Sequence, residues 1–91
     1  MIVQWTDKGL SDLVRLYDFL SPVNPKAAAD VVKTLTSAAG RLETHPRIGE
    51  RLEQFEPRDV RRLIVGHYEL RYEIQESTAF VLRLWHTRES R

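Results

Sequence analysis

Arginine carries the chemistry open to this chain. Arg71 and Arg83 sit within the alternating runs YELRYEIQ and FVLRL, with the Arg61-Arg62 pair shortly before them, and every cationic side chain of the lysine or arginine type from Arg41 onward is an arginine. The three lysines, Lys8, Lys26 and Lys33, all lie in the first part of the chain. A guanidinium offers a planar fork of donors that fits a phosphate or a carboxylate, but it cannot accept a proton at physiological pH. Such residues can clamp an anion; proton transfer needs other groups beside them. The three histidines, His45, His67 and His86, are far apart, there is no cysteine, and no short His/carboxylate spacing occurs, so no metal site and no cofactor is expected. The chain has no P-loop, no GxGxxG and no nucleophile elbow, which excludes nucleotide hydrolysis, dinucleotide redox chemistry and serine hydrolysis.

The arginines are positioned by β-strands. Gly66-His67 separates two β-rich runs, RRLIV and YELRYEIQ, and glycine readily takes the positive φ that a II′ turn requires at its first central position. Alternation then places Tyr68, Leu70, Tyr72 and Ile74 on one face and Glu69, Arg71, Glu73 and Gln75 on the other. By the same parity Phe80, Leu82, Leu84 and, at the strand end, His86 share the apolar face, and Arg83 points outward. A sheet with one apolar face and one arginine-bearing face is expected to be covered on the first and to meet an anionic group with the second.

The covering layer is helical. Ile2 to Trp5 reads as an opening strand, Thr6-Asp7 as a helix N-cap, and Leu10, Leu13, Val14, Tyr17 and Leu20 as the buried stripe of a first helix, leaving Asp12, Arg15 and Asp18 for solvent. Asn24-Pro25 caps a second helix whose buried positions are Ala28, Val31, Val32, Leu35, Ala38, Ala39 and Leu42, and His45-Pro46 stops it. Residues 46 to 59 hold Gly49, Pro57 and seven charged side chains, and read as a loop with one short helical turn, anchored by Leu52 and Phe55. Trp5 and Trp85, on strands expected to adjoin, read as core aromatics. The predicted architecture is one α+β domain over residues 1–91: an N-terminal strand, an antiparallel helical hairpin and a three-stranded antiparallel meander, in the order β-α-α-β-β-β, with the helices packed on one sheet face.

Composition agrees with a small globular domain: 91 residues, 42% of them hydrophobic, are sufficient for one thin core. The absence of cysteine suits a reducing cytoplasm, and neither an export signal nor a membrane-spanning run is indicated. A net charge of +1 does not by itself announce a nucleic-acid binder.

The succession IVQW, two helices, RLETHPRIGE, RRLIV, YELRYEI and VLRLWHTRESR resembles the ParE/RelE superfamily of small bacterial toxins, nearer to the ParE subgroup, over nearly the whole chain. The resemblance implies the toxin of a type II toxin-antitoxin pair of the plasmid-stabilisation kind. It would be neutralised by a ParD-like antitoxin in a higher-order hetero-oligomer, and would act in the cytoplasm by binding DNA gyrase without catalysis. Target contacts would then fall on Arg83, His86, Arg88 and Arg91, and antitoxin contacts on Arg61, Arg62, Arg71 and Arg83. The alternative within the superfamily is a ribosome-dependent mRNA endonuclease, for which Arg71, Arg83, His86 and Glu50 are the candidate catalytic residues. Against that alternative, Thr87 stands where such relatives carry a tyrosine after the histidine, and no lysine follows Lys33.

Overall fold

A computed structural model describes residues 1–89. Strand β1 (Ile2–Trp5) leads into helix α1 (Asp7–Leu20) and helix α2 (Pro25–Gly40), followed by a 3₁₀ turn, Arg41–Glu43. Strand β2 (Glu50–Arg51), a second 3₁₀ turn (Glu53–Phe55), and strands β3 (Asp59–Val65), β4 (Tyr68–Gln75) and β5 (Thr78–His86) complete the chain. The strands form one sheet in the order β1-β5-β4-β3-β2, in which β1 runs parallel to β5 and the other neighbours are antiparallel. The expected α+β order is therefore observed, with the short β2 added at the edge of the meander.

Local chemistry accounts for the element boundaries. Thr6 Oγ1 accepts a hydrogen bond from the Gly9 amide at 3.1 Å, and Asn24 Oδ1 accepts one from the Ala27 amide at 3.0 Å, with Pro25 in the first turn. Gly66 takes φ +61° while His67 keeps a negative φ, as a II′ turn requires. The next hairpin, between Gln75 and Thr78, places Glu76 at φ 55°, the one non-glycine residue with positive φ among those described. A side chain there is strained, so Glu76→Gly should raise stability by about 0.5–1 kcal/mol net of the greater freedom of the unfolded glycine chain. A higher urea midpoint at unchanged slope is the expected result.

The core lies between the helical hairpin and one face of the sheet. Leu35, Ala38, Ala39 and Leu42 pack with Leu16 against Leu70, Tyr72, Val81 and Leu84, all of them buried. The α2 stripe is as expected, but that of α1 is rotated. Leu10, Val14 and Tyr17 are exposed, and Gly9, Asp12 and Leu16 face inward. The reason lies at Gly9, where an added Cβ would come within 2.6 Å of the Val81 carbonyl oxygen. With no side chain at that point, α1 lies directly against the β5 backbone and turns the Gly9–Asp12–Leu16 side toward it.

The parity expected for β5 also fails halfway along the strand. Arg71 pairs with Arg83 but Tyr72 pairs with Val81, so Leu82 is the extra residue of a β-bulge. Beyond the bulge Leu84 and His86 do face the helices. Before it the covered positions are Ala79 and Val81, and Phe80 lies on the outer face opposite Glu73. The bulge stands where β1 leaves the sheet: Thr6 donates its amide to the Val81 carbonyl at 3.1 Å and its hydroxyl to the same oxygen at 2.8 Å.

The outer face has a partial cover of its own. Val60 and Leu52 are buried, and the ring of Phe55 lies 5.5 Å from the Arg71 guanidinium. Trp85 is buried as expected, but on this outer face, where Arg71 stacks over its ring at 4.7 Å; Trp5 is half-buried on β1. The loop before β2 is held from the other side by Tyr72, whose hydroxyl donates to the Pro46 carbonyl at 2.7 Å and accepts from the Gly49 amide at 2.9 Å. Burial pushes that phenol up from its ordinary pKa, so it stays a donor.

Candidate functional site

Three of the four arginines expected to form one basic surface stand in a row across the outer face. Register places Glu50, Arg62, Arg71 and Arg83 side by side on β2, β3, β4 and β5. Arg61 is not among them. It pairs with Tyr72 on the helix-covered side and is spent on structure, donating to the Gly49 carbonyl at 3.0 Å and to Asp59 at 2.9 Å.

Each arginine of the row already has a carboxylate. Arg62 Nε bonds Glu50 at 2.8 Å, Arg71 Nη2 bonds Glu69 at 3.0 Å, and Arg83 Nε bonds Asp12 at 2.7 Å. Arg58, from the loop ahead of β3, makes a two-point contact with the buried Glu73, at 2.8 and 3.1 Å. That hydrogen bond holds the Glu73 carboxyl below its usual range despite its burial. Four arginines thus face four carboxylates, and the arginine-bearing face expected to meet an anionic group is electrostatically matched from within. Arg71 is the most enclosed of the row, set between the rings of Phe55 and Trp85, with its Nε buried and without a hydrogen-bond partner among the described residues.

Asp12 is a functional residue in the architectural sense that periodicity misassigned to solvent. It is 5% exposed and accepts from Arg83 twice, at 2.7 and 3.3 Å, and from the Leu84 amide at 2.9 Å. Arg15, one turn on, donates to the Leu84 carbonyl at 3.1 Å. Once β1 has departed, the edge of β5 exposes unpaired backbone groups, and two side chains of α1 act as its missing neighbour. The same contact fixes the direction of the Arg83 guanidinium.

His86 lies on the opposite side of the sheet from Arg71 and Arg83. Its ring meets Tyr68 edge-on at 5.2 Å and stacks with His67 at 6.0 Å, and its Nδ1 accepts from the Arg88 amide at 3.1 Å. Glu50, at the far end of the arginine row, is three strands from Arg83, about 14 Å at normal strand spacing. The four residues a nuclease would use are therefore not gathered on one phosphate-sized site. Arg88 is exposed at the start of the terminal segment beside His86, and Arg91 lies outside the described residues.

A concavity lies elsewhere, a groove of about 530 Å³ lined by Leu16, Phe19, Leu20 and Arg15 of α1 and by Tyr68, His86, Arg88 and Glu89. His86 and Arg88 were expected as target contacts of the terminal segment; Phe19, Arg15, Tyr68 and Glu89 were assigned to no site. The signal available in sequence was the i, i+4 spacing of Arg15 and Phe19, which gives one helix face a cation and a large ring. Among the described residues no cluster of three or more His, Asp or Glu could hold a metal, and no helix is long and apolar enough to cross a membrane.

The family described as "ParE toxin of type II toxin-antitoxin system, parDE" matches residues 3–91. The chain belongs to the ParE toxin family. It is also 30% identical over 84 residues to "Toxin RelE2" of Caulobacter vibrioides, covering 92% of each chain. A solved structure titled "Chromosomal ParDE TA system from P. aeruginosa" superposes with a TM-score of 0.79 at 21% identity, covering 94% of this chain and 95% of that one, a likeness of fold. Family membership assigns the chain a general toxin role within the ParE/RelE group of toxin-antitoxin systems.

Proposed function

We propose that this toxin acts by binding, as a ParE-like inhibitor of DNA gyrase in the cytoplasm, and that a ParD-like antitoxin neutralises it in a higher-order complex. The observation that carries the non-catalytic reading is the dispersal of the nuclease set. Arg71 is held between two rings and paired with Glu69, Arg83 is committed to Asp12, Glu50 to Arg62, and His86 faces the other side of the sheet. Proton transfer and phosphate clamping must converge on one scissile bond within hydrogen-bonding distance, and these groups do not converge. The ribosome-dependent mRNA endonuclease is the second reading, favoured by the RelE name of the Caulobacter relative.

Growth arrest separates the two. His86→Gln keeps a hydrogen-bonding group but removes acid-base capacity, and should leave arrest and inhibition of gyrase supercoiling intact. Arg88→Glu replaces a donor fork by a repelling acceptor and should weaken both. An endonuclease would lose about 100-fold or more in rate on loss of a proton-transfer group. If purified wild-type protein cut ribosome-bound mRNA and the folded His86→Gln protein did not, the endonuclease reading would replace this one.

A further inference from the structure

The groove between α1 and the ends of β4 and β5 combines features that the arginine row lacks. Its floor is apolar, with Leu16 buried, Leu20 and Tyr68 half-buried, and Phe19 standing at the rim 79% exposed. A phenylalanine left that open beside a concavity is an apolar surface without a partner inside the chain. Its rim carries two arginines, Arg15 and Arg88, against one carboxylate, Glu89.

Glu89 occupies a distinctive place. It reaches back from the terminal segment so that one oxygen accepts from the His86 amide at 2.8 Å and the other meets Arg15 Nη1 at 2.6 Å. Arg15 is 44% exposed, so this second contact is a surface ion pair and is worth little on its own. An incoming carboxylate can therefore take the arginine over at small cost, while Arg15 keeps its Nη2 contact with the Leu84 carbonyl. Through its contact with the amide of residue 86, Glu89 closes the β5 edge next to the Leu84 groups that Asp12 and Arg15 satisfy.

We infer that this groove seats a segment of the antitoxin in which a bulky apolar side chain lies beside a carboxylate, and that this carboxylate displaces Glu89 from Arg15. The inference rests on the toxin-antitoxin reading above and locates the contact away from the arginine row. The apolar side chain fills the floor against Phe19 and Tyr68, and the cationic rim selects an acidic neighbour over a basic one. Glu89 is then an internal competitor for the antitoxin.

Three single variants test this against the purified product of the adjacent reading frame, by calorimetric titration and by rescue of growth on co-expression. Phe19→Asp should weaken binding about 30-fold or more and abolish rescue, since it puts a charge at the apolar anchor. Val23→Asp makes the same change at a residue that is 89% exposed but outside the groove, and should bind like wild type. Glu89→Gln should tighten binding several-fold by removing the competitor. Both aspartate variants replace exposed side chains, so their thermal melts should match wild type. Binding of Phe19→Asp equal to wild type, or equal weakening by Val23→Asp, would overturn the groove assignment. Unchanged or weaker binding by Glu89→Gln would overturn the exchange at Arg15. If Phe19→Asp instead converted a toxin dimer to a monomer while antitoxin affinity held, the occupant would be a second copy of this chain. Should wild type itself bind no product of the adjacent frame, the toxin-antitoxin reading would fall first and the inference with it.

Discussion

Asp12→Ala is expected to destabilise the protein by about 3 kcal/mol, a large fraction of what a domain of this size has to lose. The carboxylate is buried, and its removal leaves the Leu84 amide without an acceptor in the interior and takes the counter-charge from Arg83 and Arg15. Arg83 is 47% exposed and can rehydrate, so the loss falls chiefly on the amide and on the packing of α1 against β5. Asp12→Asn keeps an oxygen for the amide and should cost less. Urea unfolding, with the midpoint shifted and the slope unchanged, is the measurement.

The same residue predicts an acid dependence. Burial by itself pushes the Asp12 carboxyl up, but the Arg83 hydrogen bond, the Leu84 amide and the charges of Arg83 and Arg15 outweigh it and hold the group below its ordinary range. A carboxylate depressed in the folded state contributes stability that is fully present above the unfolded value, about pH 4, and is lost as pH falls through the lower folded value. Glu73, depressed by Arg58, acts with the same sign. Wild type should therefore lose its advantage over Asp12→Asn as pH drops from about 5 toward 2. A stability difference that stayed constant over that range would show that Asp12 does not ionise as an anchored carboxylate.

Leu35→Asp should unfold the protein. Leu35 is fully buried in the core cluster that also holds Leu16, Leu42, Leu70 and Tyr72, so the change removes a core leucine and strands a charge. The combined cost is about 5 kcal/mol or more, against a total stability of about 5–14 kcal/mol at 0.05–0.15 kcal/mol per residue. Val14→Asp is the contrast. Periodicity put Val14 in the core, yet it is 57% exposed, and its replacement should shift stability by less than about 1 kcal/mol. A circular-dichroism melt of Leu35→Asp resembling wild type, or a collapse of Val14→Asp, would show that the burial of the hairpin is misassigned.

The errors of sequence reading occur at contacts between distant parts of the chain. The stripe on α2 was legible because the helix has one apolar side, whereas α1 carries large apolar residues on two, and only Gly9 lying against Val81 decides which is buried. Strand parity was right along β4 and failed in β5 at Leu82, because a bulge is an answer to β1 ending at Val81, and nothing in AFVLRL announces it. The charge of the outer face was overread: Glu69 and Glu73 were placed there correctly, but Glu69 pairs with Arg71 two residues along the same strand, and the pairing of Glu73 with Arg58 depends on how the loop before β3 folds back.

What the sequence determined by itself is therefore local. Thr6 and Asn24-Pro25 set the helix starts, Gly66 the hairpin, the alternation of β4 its two faces, and the order of these pieces the family, since each depends on groups within a few residues of one another. Tertiary structure alone decided that Leu82 bulges out of β5, that Asp12 is buried against that strand, and that Phe19, Arg15, Tyr68 and Glu89 enclose a groove. Those outcomes follow from the open edge of β5, whose Leu84 amide and carbonyl lie 72 and 69 residues along the chain from the Asp12 and Arg15 side chains that satisfy them. Backbone groups buried without a strand neighbour must find partners wherever the fold supplies them.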